Sequence, residues 1–163
     1  MKNLFVLSLL FITGFTANAQ MEGEFTSMEE ALKTPDQVVI LRLMNQNLSA
    51  IPAEVYTFKN LKKLDLSANV LKKLPIEITK LEKLEELILW NNKLKALPVE
   101  IGQFKNLRKL NIARNMLTTL PAEINQLTAL TELQLGLNLI AKIPSLDGLV
   151  NLEKLNLFNN KLT

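Results

Sequence analysis

From Val38 onward the chain repeats one arrangement of apolar and polar positions. Leu61, Leu84, Leu107 and Leu130 stand 23 residues apart and open the segments LKKLDLSANVLKKLPIEITKLEK, LEELILWNNKLKALPVEIGQFKN and LRKLNIARNMLTTLPAEINQLTA. Each segment starts L-x-x-L-x-L, where apolar and polar residues alternate, and this predicts a strand with one buried face. The closer apolar spacing of the back half, as in Leu74, Ile78 and Leu81, predicts a tighter helical or 3-10 return. Pro52, Pro75, Pro98, Pro121 and Pro144 stand where the return begins, where a fixed φ is tolerated and no ladder hydrogen bond is lost. One unit cannot bury its leucines alone, so successive units must stack. Six units follow, 38–60, 61–83, 84–106, 107–129, 130–151 and 152–163, the fifth one residue short and the sixth stopping about halfway.

The ninth position of the unit is Asn69, Asn92, Asn115, Asn138 and Asn160. After the strand the chain turns inward and leaves backbone groups that water cannot reach. A carboxamide supplies both a donor and an acceptor for them, which aspartate or leucine cannot. The expectation is a structural asparagine ladder running from coil to coil, not a ligand site. The first unit departs from the pattern, with Gln46 at this position and Asn47 beside it, as a terminal irregularity.

The pattern L-x-x-L-x-L-x-x-N-x-L with an L-P-x-E-I-x-x-L back half resembles the leucine-rich repeat family. It is similar to the 23-residue repeats of many bacterial proteins and of the Ras-associated intracellular proteins of plants and animals. The resemblance implies an α/β solenoid, a horseshoe with a parallel strand ladder on its concave face and short helical or 3-10 returns on its convex face. It also implies a protein- or peptide-binding module that uses the concave face. An intracellular signalling scaffold of the Ras-associated type is the alternative.

The two ends read differently. Met1–Gln20 has Lys2, an apolar run from Leu4 to Phe15, and Ala17-Asn18-Ala19, the layout of a secretory signal peptide. A bilayer span needs about 20 apolar residues, more than this run holds. The expected organisation is a signal peptide over 1–19, an N-terminal capping segment over 20–37 and the repeat domain over 38–163. In the capping segment Ser27-Met28-Glu29-Glu30 is a capping box, and Pro35 ends the helix it starts. Met28, Ala31 and Leu32 are expected to face the first coil. At the other end no polar unit follows the Asn160 turn. A fragment of a longer protein is expected there, with end-to-end self-association through the uncapped last coil as the other reading. Location is accordingly secreted, periplasmic or cell-surface, and cytoplasmic if the leader does not act as a signal.

Composition narrows the chemistry. The chain has neither Cys nor His, which removes thiolate and imidazole catalysis and zinc-finger patterns. No P-loop or G-x-S-x-G motif occurs. Glu54, Glu77, Glu100 and Glu123 belong to the repeated L-P-x-E-I and sit where a helical start favours acids. Neither catalytic residues, a metal nor a cofactor is expected. The formal charge of +3 is too weak to suggest nucleic acid.

What remains is the outward side of the strands. The third position reads Ile40, Lys63, Glu86, Lys109, Glu132, Lys154, a charge that alternates from coil to coil. The fifth reads Arg42, Asp65, Ile88, Asn111, Gln134, Asn156, and the seventh Met44, Ser67, Trp90, Ala113, Gly136, Phe158. Large aromatics at solvent positions dominate binding hot spots. The expected partner surface is therefore Arg42, Met44, Asp65, Ile88, Trp90, Asn111, Arg114, Gln134 and Phe158, centred on Trp90, Asn111 and Arg114. Ala113 and Gly136 are expected to leave a shallow depression beside Trp90.

Overall fold

A computed structural model of the chain describes residues 22–163. The expected signal peptide lies outside the described residues. Seven strands form one open parallel sheet in chain order. They are β1 (Glu24–Phe25), β2 (Ile40–Arg42), β3 (Lys63–Asp65), β4 (Glu86–Ile88), β5 (Lys109–Asn111), β6 (Glu132–Gln134) and β7 (Lys154–Asn156). The central leucines partner one another from strand to strand, Leu64 with Leu87, Leu87 with Leu110, Leu110 with Leu133 and Leu133 with Leu155. The α/β solenoid implied by the repeat is therefore the fold.

The inward leucines make one continuous core. Leu64, Leu66, Leu71, Leu87, Leu89, Leu94, Leu110, Ile112 and Leu117 are fully buried. On the return side Phe58, Leu81, Phe104 and Leu127 are all buried, so phenylalanine and leucine alternate down the same column from coil to coil. In the last coil the inward series opens to solvent, with Leu155 43% exposed.

The returns are 3-10 turns over Ala53–Thr57, Ile76–Lys80, Val99–Gln103 and Ala122–Gln126, each N-capped by the proline before it. Pro144 starts no such turn. There the unit is one residue short, and its return lies hard against the preceding coil. A Cβ at Gly148 would stand 2.2 Å from the Asn125 carbonyl oxygen, so only glycine fits.

Before the repeats, Ser27 caps helix α1 (Met28–Lys33), its Oγ accepting from the Glu30 N–H at 3.2 Å. Ala31 is buried and Met28 packs on the core, but Leu32 is 47% exposed. In a helix of six residues, one inward contact at Ala31 leaves its neighbour rotated about 100° away, and Leu32 faces water. Pro35 opens a 3-10 turn, Pro35–Gln37. Strand β1 is an addition to the six strands expected. The Gly23 carbonyl accepts from Val39 and Ile40 N–H, both at 2.9 Å, which fastens β1 to β2. Among the described residues no helix is long and apolar enough to cross a membrane.

Candidate binding surface

Each short strand ends in a bend that fixes what its outward side chains can reach. Asp65, Asn111 and Asn156 use a side-chain oxygen to accept from the N–H two residues on, at 2.9, 3.1 and 2.9 Å. The residue immediately after that N–H then turns left-handed. Asn45, Ala68, Asn91, Arg114, Leu137 and Asn159, all at the eighth position, have φ between 55° and 59°. Asparagine accepts that conformation readily, whereas Ala, Arg and Leu are rarely found in it.

Inside the bend the ninth-position carboxamides are fully engaged. Asn92 Oδ1 accepts from Leu71 N–H in the preceding coil at 3.0 Å, and its Nδ2 donates to the carbonyls of Leu66 and Leu89. Asn115 and Asn138 repeat this geometry one and two coils on. Asn160 keeps it although half exposed. Asn69 Oδ1 accepts from both Gln46 and Leu48 N–H, and Gln46 turns its own Nε2 to the Thr26 carbonyl. The irregular first unit thus ties the repeats to the segment before them.

Outward, the charged column closes into ion pairs only in its middle. Glu86 lies 2.6 Å from Lys63 Nζ and 3.1 Å from Lys109 Nζ. Partial burial pushes the Glu86 carboxyl up, but the two ammonium groups outweigh it and hold it below the usual carboxylate value. Lys109 is raised by its hydrogen bond and attraction to Glu86. Further on, Glu132 accepts from Gln134 Nε2 at 3.0 Å.

Two of the residues expected to meet a partner are instead used internally. Asp65 is buried, its Oδ1 accepting from Ser67 N–H and from Ser67 Oγ at 2.5 Å. Arg42 bonds Glu24 of β1 and lies 3.9 Å from Asp65. Strand β1, absent from the repeat pattern, supplies the carboxylate that draws Arg42 in. The depression also moves. Gly136 is buried, with Asn156 Oδ1 and the Phe158 carbonyl 3.3 Å from where a Cβ would stand, so the last coil covers it. A cavity of about 90 Å³ lies instead over the third and fifth positions, lined by Ile88, Leu110 and Asn111 together with Glu86, Lys109, Glu132 and Gln134.

The remaining residues stay on the surface. Arg114 places its guanidinium carbon 5.6 Å from the centre of the Trp90 ring, within cation–π range. Trp90 is 37% and Phe158 74% exposed. Met44, just after β2, is also exposed. Met116, Leu137 and Leu139 extend the apolar surface from the strands onto the bends. The left-handed bend that aims Arg114 at Trp90 has no glycine to announce it, and so left no signal in the sequence.

A strand ladder on one face, 3-10 returns on the other and an asparagine at each inward bend after the first define a leucine-rich repeat solenoid. A family model described as leucine rich repeat matches residues 36–94, 82–140 and 105–162, and the chain belongs to that family. Among solved structures it is similar to a leucine-rich repeat protein of Leptospira interrogans, at 38% identity and a TM-score of 0.74. That match covers 86% of this chain and 42% of the other. It is also similar to the ectodomain of the Arabidopsis receptor kinase HAESA in complex with an extended IDA peptide hormone, at 35% identity and a TM-score of 0.67 over 75% of this chain and 22% of that one. A third is the ectodomain of the Arabidopsis thaliana receptor kinase GASSHO1/SCHENGEN3 in complex with Casparian strip integrity factor 2, at 29% identity and a TM-score of 0.68, over 77% of this chain and 16% of that one. The chain therefore spans less than half the length of each of these proteins. A comparison with curated proteins gave no match.

Proposed function

We propose that the chain is a non-enzymatic protein- or peptide-binding module, exported, whose contact surface is the part of the strand face formed by Ile88, Trp90, Asn111, Arg114, Gln134 and Phe158. The observation that carries this reading is the exposed Trp90–Arg114 stack on a regular strand face, beside the cavity over Ile88 and Asn111. Tryptophan and arginine are the residue types most enriched at binding hot spots, and a stacked guanidinium is already ordered before a partner arrives. The HAESA ectodomain, solved with an extended IDA peptide hormone, supports a peptide as the partner class. Asp65 and Arg42 are left out of the contact surface because the chain itself occupies them.

The placement is tested with peptides selected from a random library for binding to the purified chain. Trp90→Ala should weaken them at least tenfold, about 1.4 kcal/mol. Lys80→Ala, on a return turn, should leave them unchanged. Equal affinities for the two variants would sink the site. The L-P-x-E-I back half favours one other reading, the Ras-associated type of intracellular scaffold. N-terminal sequencing of the expressed protein separates them: a start at Gln20 means export, and an intact Met1 means the scaffold.

A further inference from the structure

The net charge of +3 conceals a strong segregation. Between each strand and the following proline run the segments 45–52, 68–75, 91–98, 114–121, 137–144 and the final 159–163. They contain Lys72, Lys73, Lys93, Lys95, Arg114, Lys142 and Lys161, and all 16 acidic residues of the chain lie elsewhere. The segments stack as a hydrogen-bonded flank of the solenoid. Val70 N–H donates to Leu48, Lys93 to Leu71, Met116 to Leu94, Leu139 to Leu117 and Lys161 to Ile140, all at 2.9–3.0 Å. These bonds set the tenth-position side chains Lys93, Met116, Leu139 and Lys161 in a row. All the cations of this flank are exposed, and none forms an ion pair among the described residues. The opposite flank behaves differently: there Lys62 pairs with Glu85 at 3.0 Å and Lys83 bonds Asn60 at 2.7 Å.

We propose that this flank docks on the surface of an anionic lipid bilayer. Six of its seven cations are lysines, compact charges suited to a diffuse negative surface, without the planar fork that fixes one carboxylate. Between them Met116, Leu137 and Leu139 stand 42%, 44% and 38% exposed. These apolar side chains enter a deformable headgroup layer without needing a shaped partner. Leu137 is held outward by a left-handed backbone that leucine rarely adopts. A protein partner would have to present one unbroken negative face along several coils. The flank shares only Arg114 with the peptide site, and its test leaves Trp90 and Arg114 untouched.

The experiment is cosedimentation of the purified chain with vesicles of phosphatidylcholine alone or mixed with phosphatidylglycerol. Binding is expected only to the mixed vesicles and should fall steeply with added salt. Each lysine near such a surface contributes roughly fivefold in partitioning, about 1 kcal/mol. Lys93→Glu with Lys95→Glu should therefore reduce binding at least tenfold. Lys59→Glu with Lys80→Glu, the same charge change on the return side, should leave it nearly unchanged. Leu137→Ser with Leu139→Ser should weaken binding at constant salt. The proposal is falsified if mixed vesicles are not bound at low salt, or if the two double lysine variants lose binding equally. Capture by soluble polyglutamate without vesicle binding would overturn it in favour of an acidic polypeptide.

Discussion

Asn92 shows how one side chain serves two coils. Its Oδ1 satisfies the Leu71 N–H of the coil before, and its Nδ2 satisfies carbonyls of that coil and its own. Removing the carboxamide strands buried backbone groups that no water can reach. Asn92→Ala is expected to destabilise the chain by roughly 2–4 kcal/mol in urea unfolding. Asn160→Ala, at a half-exposed site, should do clearly less. Ala68 is the reverse case: it sits at φ 55° in a column where Asn45, Asn91 and Asn159 adopt the same conformation. Ala68→Asn should therefore raise stability by about 0.5–1 kcal/mol, read as a higher melting temperature. Residue type alone announced the ninth-position ladder. The eighth-position twist stayed hidden, because Arg114 and Leu137 reach it through the hydrogen-bonded bend around them and not through their own preference.

At the scale of strands and turns, period and composition were enough where each unit repeats. The leucine spacing marked the strands, and proline marked the 3-10 turns it caps. What the pattern could not carry was β1, two residues without any periodicity, whose place comes from Gly23 and the edge of β2. That omission spread to the site, since β1 holds the Glu24 that engages Arg42. The alternating charge column was visible, but its alternation closes into contacts only at Lys63, Glu86 and Lys109. Glu86 is lowered from its ordinary value of 4.5, so its contribution is present above that pH and is lost as pH falls through the lower folded value. Glu86→Gln should remove this dependence. Its melting temperature should vary less than the parent's between about pH 5 and pH 3, the span over which carboxylates protonate.

The whole molecule is a line of coils, each touching mainly its neighbours, so its stability is a sum over units and their junctions. Excision of 84–106 joins equivalent positions and should leave a shorter folded solenoid. It also sets Lys63 beside Lys109 with no carboxylate between them. The melting temperature of the excised form should rise with added salt, which screens that repulsion, while the parent's should not. Salt-independent melting in the excised form would show that the charged column contributes nothing measurable to stability. The segregation of charge onto one flank belongs to this scale as well. Composition averages over all positions, and the bias emerges only when the residues between strand and proline are taken together.

The asparagine ladder has a consequence for synthesis on the ribosome. Every carboxamide reaches back, so the Leu71 N–H waits for Asn92 and the Leu94 N–H waits for Asn115. A newly emerged coil is unfinished until its successor has left the exit tunnel. The nascent chain should then close as a zipper that trails translation by one coil, and its growing tip should remain the one place where it is open to chaperones.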